Sequence, residues 1–185
     1  MIKDLSMKRG KSKSLKLIEF LKIFLIIYGC FIMLMPVLEW SQDVVSVGGW
    51  FETSLSLEVL KTLSISQRLT GWFVETIGSA LFGIVLTFLY MLLELIQQGE
   101  PFSKNSISLF EKISRFYLFS IIYEPISETV LSFITTLHLP VGQRTLTIGF
   151  GTDNINSILL ATCLYLIVFL IKQAHQISEE QRAVI

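Results

Sequence analysis

The sequence predicts an all-α membrane protein: a four-transmembrane-helix bundle with a small extracytoplasmic cap made of a β-hairpin and an interfacial helix. Hydrophobic residues make up 52% of the chain and the mean hydropathy is +0.64, both high for a soluble domain. Four apolar stretches each reach or approach the ~20 residues that a helix needs to cross ~30 Å of hydrocarbon. We therefore predict a single integral membrane domain, 1–185, with spans at residues 17–38, 72–95, 113–137 and 155–171.

The distribution of basic residues predicts the topology. Of the fifteen Lys and Arg residues, only Lys61, Arg68 and Arg144 fall in the first and third connections. The others lie in the tails, in the second connection or at the entry to a span. Because cytoplasmic segments carry the excess of Lys and Arg, both termini are predicted to be cytoplasmic. The segments outside the spans are then a basic cytoplasmic tail (1–16), two outer loops (39–71 and 138–154), a cytoplasmic loop (96–112) and a cytoplasmic tail (172–185).

The charge balance favours the lipid bilayer as a partner over nucleic acid. The basic tail faces the anionic cytoplasmic leaflet and is expected to anchor the chain to that surface. A formal net charge of zero argues against a nucleic-acid partner. The first span has a long apolar core and lacks a small-x-small cleavage pattern at its end, so we expect a retained anchor rather than a cleaved signal peptide.

No residue pattern in the chain predicts catalysis, a cofactor or a metal. Cys30 and Cys163 both fall inside spans, where they are expected to act as small apolar residues. His138 and His175 are predicted to lie on opposite sides of the membrane, so they cannot share a site. A membrane hydrolase needs a nucleophile with a paired base or a His-rich metal motif, and neither is found. We expect a protein that is not an enzyme.

The two outer loops predict the cap. Residues 44–51 are rich in branched and aromatic side chains, which favours a short strand, and residues 145–150 alternate with a period of two. A strand without enough partner strands has little stability in water, so we expect these two segments to pair. Leucines spaced through 55–69 suit an interfacial helix. Asp153 or Asn154 is then placed to cap the fourth span.

The cytoplasmic loop carries signals for the end of one helix and the start of the next. Gly99 suits the left-handed cap that ends the second span, and Pro101 prevents the helix from resuming at once. Ser103 or Asn105 is placed to cap a new helix that leads into the third span. We interpret the loop as structural; the alternative is a binding loop for a cytoplasmic partner.

Three stretches of the chain together resemble a known family. These are residues 63–71, residues 99–105 and residues 142–148, the last followed by the fourth span and a charged run, 173–185, that ends in an apolar pair. The chain is similar in these stretches, over roughly 15–185, to the DUF2975 family of small bacterial membrane proteins. The resemblance implies a four-span protein of the bacterial inner membrane with no established reaction. Some relatives are encoded beside small helix-turn-helix regulators, which suggests signalling or stress. The family-like residues are Arg68, Gly99, Phe102, Asn105, Gly142 and Arg144.

Polar residues inside the spans are the remaining candidates for a site. Glu124 lies near the centre of the third span, next to Pro125, and Glu128 follows one turn later. Because an ionised carboxylate at mid-bilayer costs ~2.5 kcal/mol or more, neither group is expected to face lipid. No Lys or Arg lies at that depth, so we expect Glu124 to be buried and protonated at neutral pH. The candidate intramembrane polar cluster consists of Glu124, Glu128, Ser120, Ser127, Glu75, Tyr28, Tyr123 and Tyr165.

Three interpretations of these carboxyl groups stay open. They form a hydrogen-bonded structural cluster, or a site for a proton, cation or polar ligand, or they lie at the outer surface because the third span breaks at Glu124 and Pro125. We expect a non-enzymatic accessory or regulatory membrane protein that acts through contacts with a second copy or another membrane protein. The alternative is a small carrier or proton-linked permease that uses Glu124 and Glu128.

Overall fold

The computed structural model describes residues 2–41, 57–140, 142 and 144–183, and side chains within most of this range. It contains four long helices and one short helix, in the order α1 (Ile2–Trp40), α2 (Leu57–Thr62), α3 (Ile65–Gln98), α4 (Lys104–Thr136) and α5 (Thr152–Ala183). The four long helices are long and apolar enough, by length and composition, to cross a membrane. This confirms the predicted class at the level of four membrane-capable helices.

The helix ends within the described range follow the predicted capping residues in the loop between α3 and α4. Gly99 adopts the left-handed conformation (φ 87°, ψ 17°), and its N–H donates to the carbonyl of Ile96. This geometry satisfies a helix-terminal carbonyl at a position where a side chain would strain the backbone. Ser103, rather than Asn105, caps α4, because its hydroxyl accepts from the N–H of Ser106 at 3.2 Å.

The long helices pack mainly in consecutive pairs: α1 against α3, α3 against α4, and α4 against α5. The larger apolar core lies where α3 and α4 meet, around Val85, Leu92 and Ile113. A smaller core joins Trp40 to Leu63 at the other end of the molecule. These small cores leave most of each helix surface available to lipid or to other protein helices.

The end of α1 is held against α3 through a tryptophan. A Cβ atom built at Gly71 would overlap the six-membered ring of Trp40, so only glycine permits this approach. The Trp40 indole N–H donates to Oε2 of Glu75 at 2.7 Å, one turn further along α3. Without this hydrogen bond, the carboxyl group of Glu75 would lie between the helices with no partner, which costs free energy.

The described residues form no strand, so the predicted β-hairpin cap is not found. Residues 144–150 form neither helix nor strand, and their backbone runs along α4. Hydroxyl groups of α4 take the place of a partner strand: Ser132 Oγ accepts from the N–H of Thr147 at 2.9 Å, and Thr136 Oγ1 donates to the carbonyl of Thr145 at 3.0 Å. The proposed partner strand, 44–51, lies outside the described residues.

Two further expectations for the outer loops need correction. The interfacial helix expected over 55–69 is divided, since α2 ends at Thr62 and Leu63 turns inward to pack against Trp40. Ser64 then caps α3 through a capping box with Gln67. Because α5 begins at Thr152, Asn154 lies inside its first turn, and its Oδ1 accepts from the Gly151 N–H at 2.7 Å. Neither Asp153 nor Asn154 therefore stands at the cap position.

Candidate functional site

The middle of α4 is an unbroken helix whose hydroxyl groups bond to their own backbone. Helix α4 continues through Pro125, which excludes the interpretation that the span breaks there. Ser120 Oγ donates to the carbonyl of Tyr117 at 2.7 Å, and Ser127 Oγ donates to the carbonyl of Glu124 at 2.8 Å. These bonds are local, so they leave the hydroxyl oxygens able to accept from a group outside the helix.

An open groove of about 320 Å³ lies beside this part of α4. Its lining comes from three helices and combines a carboxyl group with hydroxyl and aromatic groups. We refer to it as the polar groove; its lining includes Gly78 and Phe82 of α3, Tyr117, Ser120, Ile121, Tyr123, Glu124 and Ser127 of α4, and Ser157 of α5. The predicted residues Ser120, Tyr123, Glu124 and Ser127 are thus brought together.

Glu124 is exposed at the surface of the single chain, which corrects the expectation that the bundle encloses it. The inward side of α4 is formed by Ile113, Ile121 and Ile134, all of which are buried. Opposite Glu124 the groove walls carry Gly78 and Ser157, which are too small to close over the carboxyl group. Among the described residues, Glu124 has no hydrogen-bond or ion-pair partner for its carboxylate. The site is therefore polar, open and incomplete within one chain.

Tyr123 lines the same groove, but its hydroxyl group is hydrogen-bonded to α3 rather than to Glu124. Its hydroxyl donates to the carbonyl of Val74 at 2.6 Å, and its ring packs against Gly78 on α3. A Cβ at Gly78 would lie 3.3 Å from Cε1 of Tyr123. Tyr123 thus ties α4 to α3 and positions the groove wall rather than donating to Glu124.

Glu128 lies one turn from the polar groove rather than in its lining. The Glu128 side chain packs against Gly149 in the segment 144–150. A Cβ atom at Gly149 would collide with the Glu128 side chain. The N–H of Gly149 donates to Thr129 Oγ1 at 3.3 Å, and this hydrogen bond holds the segment against α4. Glu124 and Glu128 are four residues apart on α4, so they lie on the same side of the helix.

The other three residues of the predicted cluster lie elsewhere. Glu75 is bonded to Trp40. Tyr28 stacks on Phe24 with ring centroids 5.8 Å apart. Tyr165 is exposed on α5. Depth in the membrane is therefore a poor guide to which side chains meet, because helix rotation decides it.

The family-like residues divide between the two ends of the molecule. Gly99 and Asn105 lie at the turn between α3 and α4, and the exposed Phe102 lines a cavity of about 250 Å³ with His175. At the opposite end Arg68 lies in the first turn of α3, Gly142 has a positive φ of 101°, and Arg144 Nε donates to the carbonyl of Leu139 at 3.0 Å. These six residues lie at opposite ends of the molecule, so they form no common site.

Sequence reasoning missed five groove residues: Gly78, Phe82, Tyr117, Ile121 and Ser157. Phe82 and Gly78 are one turn apart on α3, and Ser157 lies in the second turn of α5. Small residues at helix spacing were the available signal, but they do not show which helix they face. Among the described residues, no group of three or more His, Cys, Asp or Glu side chains could hold a metal ion.

Comparisons with known proteins identify one family. The family model described as "Protein of unknown function (DUF2975)" matches residues 57–185, which is well over half of the chain. No curated protein and no solved structure matches the chain.

Proposed function

Because the chain belongs to the DUF2975 family, whose function is unknown, we propose its function from the polar groove. We infer a non-enzymatic accessory or regulatory protein of the bacterial inner membrane. It acts by binding a transmembrane helix of a partner protein at the polar groove, with both of its own termini in the cytoplasm.

The observation that carries this proposal is the exposed carboxyl group of Glu124. Glu124 lies four residues, ~6 Å along the axis, from the midpoint of the 33-residue α4. A carboxylate that faces lipid at this depth is costly, and polar groups at membrane depth generally bond across to a neighbouring helix. The polar groove brings the carboxyl group together with several hydroxyl groups, but among the described residues none of them donates to Glu124. A partner helix with a hydroxyl, amide or imidazole donor would complete it.

Photocrosslinking in intact membranes tests this contact. A photoreactive amino acid at Ser127, which lines the polar groove, should give a discrete protein adduct. The matched control is the neighbouring position Ile126, which is exposed on α4 but absent from the groove lining and should give no such adduct. Equal labelling at the two positions, or none at Ser127, contradicts the proposal.

Variants of Glu124 show whether the adduct depends on the carboxyl group. Glu124→Gln keeps the shape and an accepting oxygen, so the Ser127 adduct should persist. Glu124→Leu removes the hydrogen bond, and the yield should fall about fivefold, the equivalent of ~1 kcal/mol for an interhelical hydrogen bond. If the adduct is a second copy of this chain, the partner is the protein itself.

A small carrier or proton-linked permease is the second candidate, favoured by the proximity of Glu124 and Glu128 beside an open groove. A titrating carboxyl group would make transport depend on Glu124 while stability does not. Proton uptake into proteoliposomes, followed with an internal pH-sensitive dye, should then be lost in Glu124→Gln with unchanged thermal stability. Retained uptake, or no uptake by the parent protein, contradicts this candidate.

A further inference from the structure

A second groove, larger and apolar, runs between α1 and α3. It has a volume of about 700 Å³, within the ~300–1,000 Å³ range of ligand sites. Two glycines line it, Gly29 on α1 and Gly83 on α3, and a Cβ atom at Gly83 would collide with the Met33 side chain. We call it the apolar groove; its lining includes Leu25, Gly29, Cys30 and Met33 of α1 and Gly83 and Tyr90 of α3.

The apolar groove has the length of one membrane leaflet. Leu25 and Met33 are eight residues apart on α1, a distance of ~12 Å along the helix axis. Half of the ~30 Å hydrocarbon core is of similar depth. Only 6% of the most apolar part of α1 is buried within the chain, so most of this part of the helix is accessible from outside the chain.

A positive charge stands at one end of this groove. Lys22 precedes Leu25 by about one turn of α1, and its ammonium group lies 5.2 Å from the centre of the Tyr90 ring. Nζ of Lys22 donates to Oε1 of Gln97 at 2.9 Å. Both partners are neutral, and among the described residues no carboxylate lies within ion-pair distance of Lys22. The ammonium group is thus positioned by two neutral side chains of α3.

The charge of Lys22 differs in this respect from those of Arg115 and Lys172. Arg115 and Lys172 both reach the carboxylate of Glu111, at 3.1 and 3.3 Å. Each of these two cations has a carboxylate within ion-pair distance, whereas Lys22 has none among the described residues, so its charge is available to an anion. An apolar groove that ends at an unbalanced cation is complementary to a molecule with a long apolar chain and an anionic head.

We propose that the apolar groove and Lys22 bind an anionic phospholipid, with one acyl chain along the groove and the phosphate at the Lys22 ammonium group. Basic pockets between transmembrane helices on the cytoplasmic side recognise acidic head groups in this way. The predicted topology places Lys22 in the cytoplasmic leaflet, where anionic lipids are attracted to basic residues. This site is separate from the polar groove, so its test does not depend on the proposed partner helix.

The two cysteines provide a direct probe of occupancy. Cys30 lines the apolar groove and Cys163 lies on α5 outside its lining, and both are free and exposed. The full chain in mild detergent is treated with a small maleimide, and modification at each cysteine is followed by mass spectrometry. Phosphatidylglycerol should slow labelling of Cys30 relative to phosphatidylcholine with the same acyl chains, and it should leave Cys163 unaffected.

Charge variants test the head-group contact. Lys22→Gln should weaken phosphatidylglycerol protection of Cys30 about fivefold, the equivalent of ~1 kcal/mol for one Lys near an anionic surface. Lys22→Arg should retain the protection. The matched control is Lys172→Gln, which removes a charge that is already paired with Glu111, and it should also retain it.

Three results would overturn the proposal. Equal protection by the two lipids means that the groove has no preference for an anionic head. An equal loss in Lys22→Gln and Lys172→Gln means that diffuse charge attracts the lipid. Protection of Cys30 that rises with protein concentration and is independent of lipid means that a second copy of the chain occupies the groove.

Discussion

At the scale of single residues, one carboxyl group in the middle of α4 has no partner among the described residues. Glu75 is paired with Trp40, and Glu128 packs against Gly149. Glu124 alone among these three lines a groove at mid-helix with no partner in the described residues. Of these three carboxyl groups, Glu124 is therefore the best candidate for a contact with another molecule.

Substitutions at Glu124 should reveal its surroundings in a bilayer. Glu124→Gln should leave thermal stability nearly unchanged, because Gln keeps the shape and stays neutral. Glu124→Lys should be strongly destabilising, since a central Lys costs ~2.5–3.5 kcal/mol on insertion scales. Thermal unfolding in bicelles measures both variants. Glu94→Lys, near the end of α3, is the control and should be tolerated. A stable Glu124→Lys would place Glu124 in water and remove the basis for a contact site.

Tyr123→Phe should loosen the contact between α3 and α4. The variant removes the hydrogen bond from the Tyr123 hydroxyl to the Val74 carbonyl, which is 2.6 Å long. A single hydrogen bond of this kind contributes about 0.5–1.5 kcal/mol to stability. Thermal unfolding in detergent should show the loss, while Tyr165→Phe, on an exposed side chain of α5, should show none. An equal effect in both variants would argue against the assigned role of Tyr123.

At the scale of elements, helix ends follow from the local sequence and loop pairings do not. Gly99 and Ser103 act within a few residues of themselves, so their capping roles could be predicted. The alternation in 145–150 fits any extended segment. Its partner turned out to be the hydroxyl face of α4, at Ser132 and Thr136, and nothing in the alternation distinguishes that face from a strand.

The candidate site was predictable within one helix and not between helices. Ser120, Glu124 and Ser127 lie on one side of a 3.6-residue helix, and the structure places them on one groove. Glu75 and Tyr165 were grouped with them by depth alone. The rotation of each helix about its axis depends on contacts far apart in sequence, such as Gly71 with Trp40, so depth could not show which side chains meet.

Gly71→Ala tests the contact that fixes α1 against α3. The added Cβ would overlap the Trp40 ring, and overpacking of this kind costs about 1–3 kcal/mol. Gly29→Ala is the matched control, because its Cβ would lie 3.8 Å from Leu86 Cδ1, an ordinary contact. Thermal unfolding should show a lower midpoint for Gly71→Ala and an equal or higher one for Gly29→Ala. Equal stability of the two variants would mean that α1 does not pack on α3 in this way.

At the scale of the whole molecule, four apolar helices pack as consecutive pairs around small cores. The two grooves open onto the outside of this arrangement, one polar and beside α4, the other apolar and beside α1. Both proposals need all four long helices to cross the bilayer, with Lys22 on the cytoplasmic side. The topology is therefore the premise on which the whole account depends.

Reporter fusions measure that topology directly. Fusions after Gln98 and after Ile185 should report the cytoplasm, and fusions near Thr53 and Gln143 should report the outside. The distribution of Lys and Arg predicts this pattern, because cytoplasmic segments carry the basic excess. A cytoplasmic signal at Gln143 would mean that α4 does not cross the membrane. Glu124 would then lie outside the hydrocarbon core, and the proposed contact site would be contradicted.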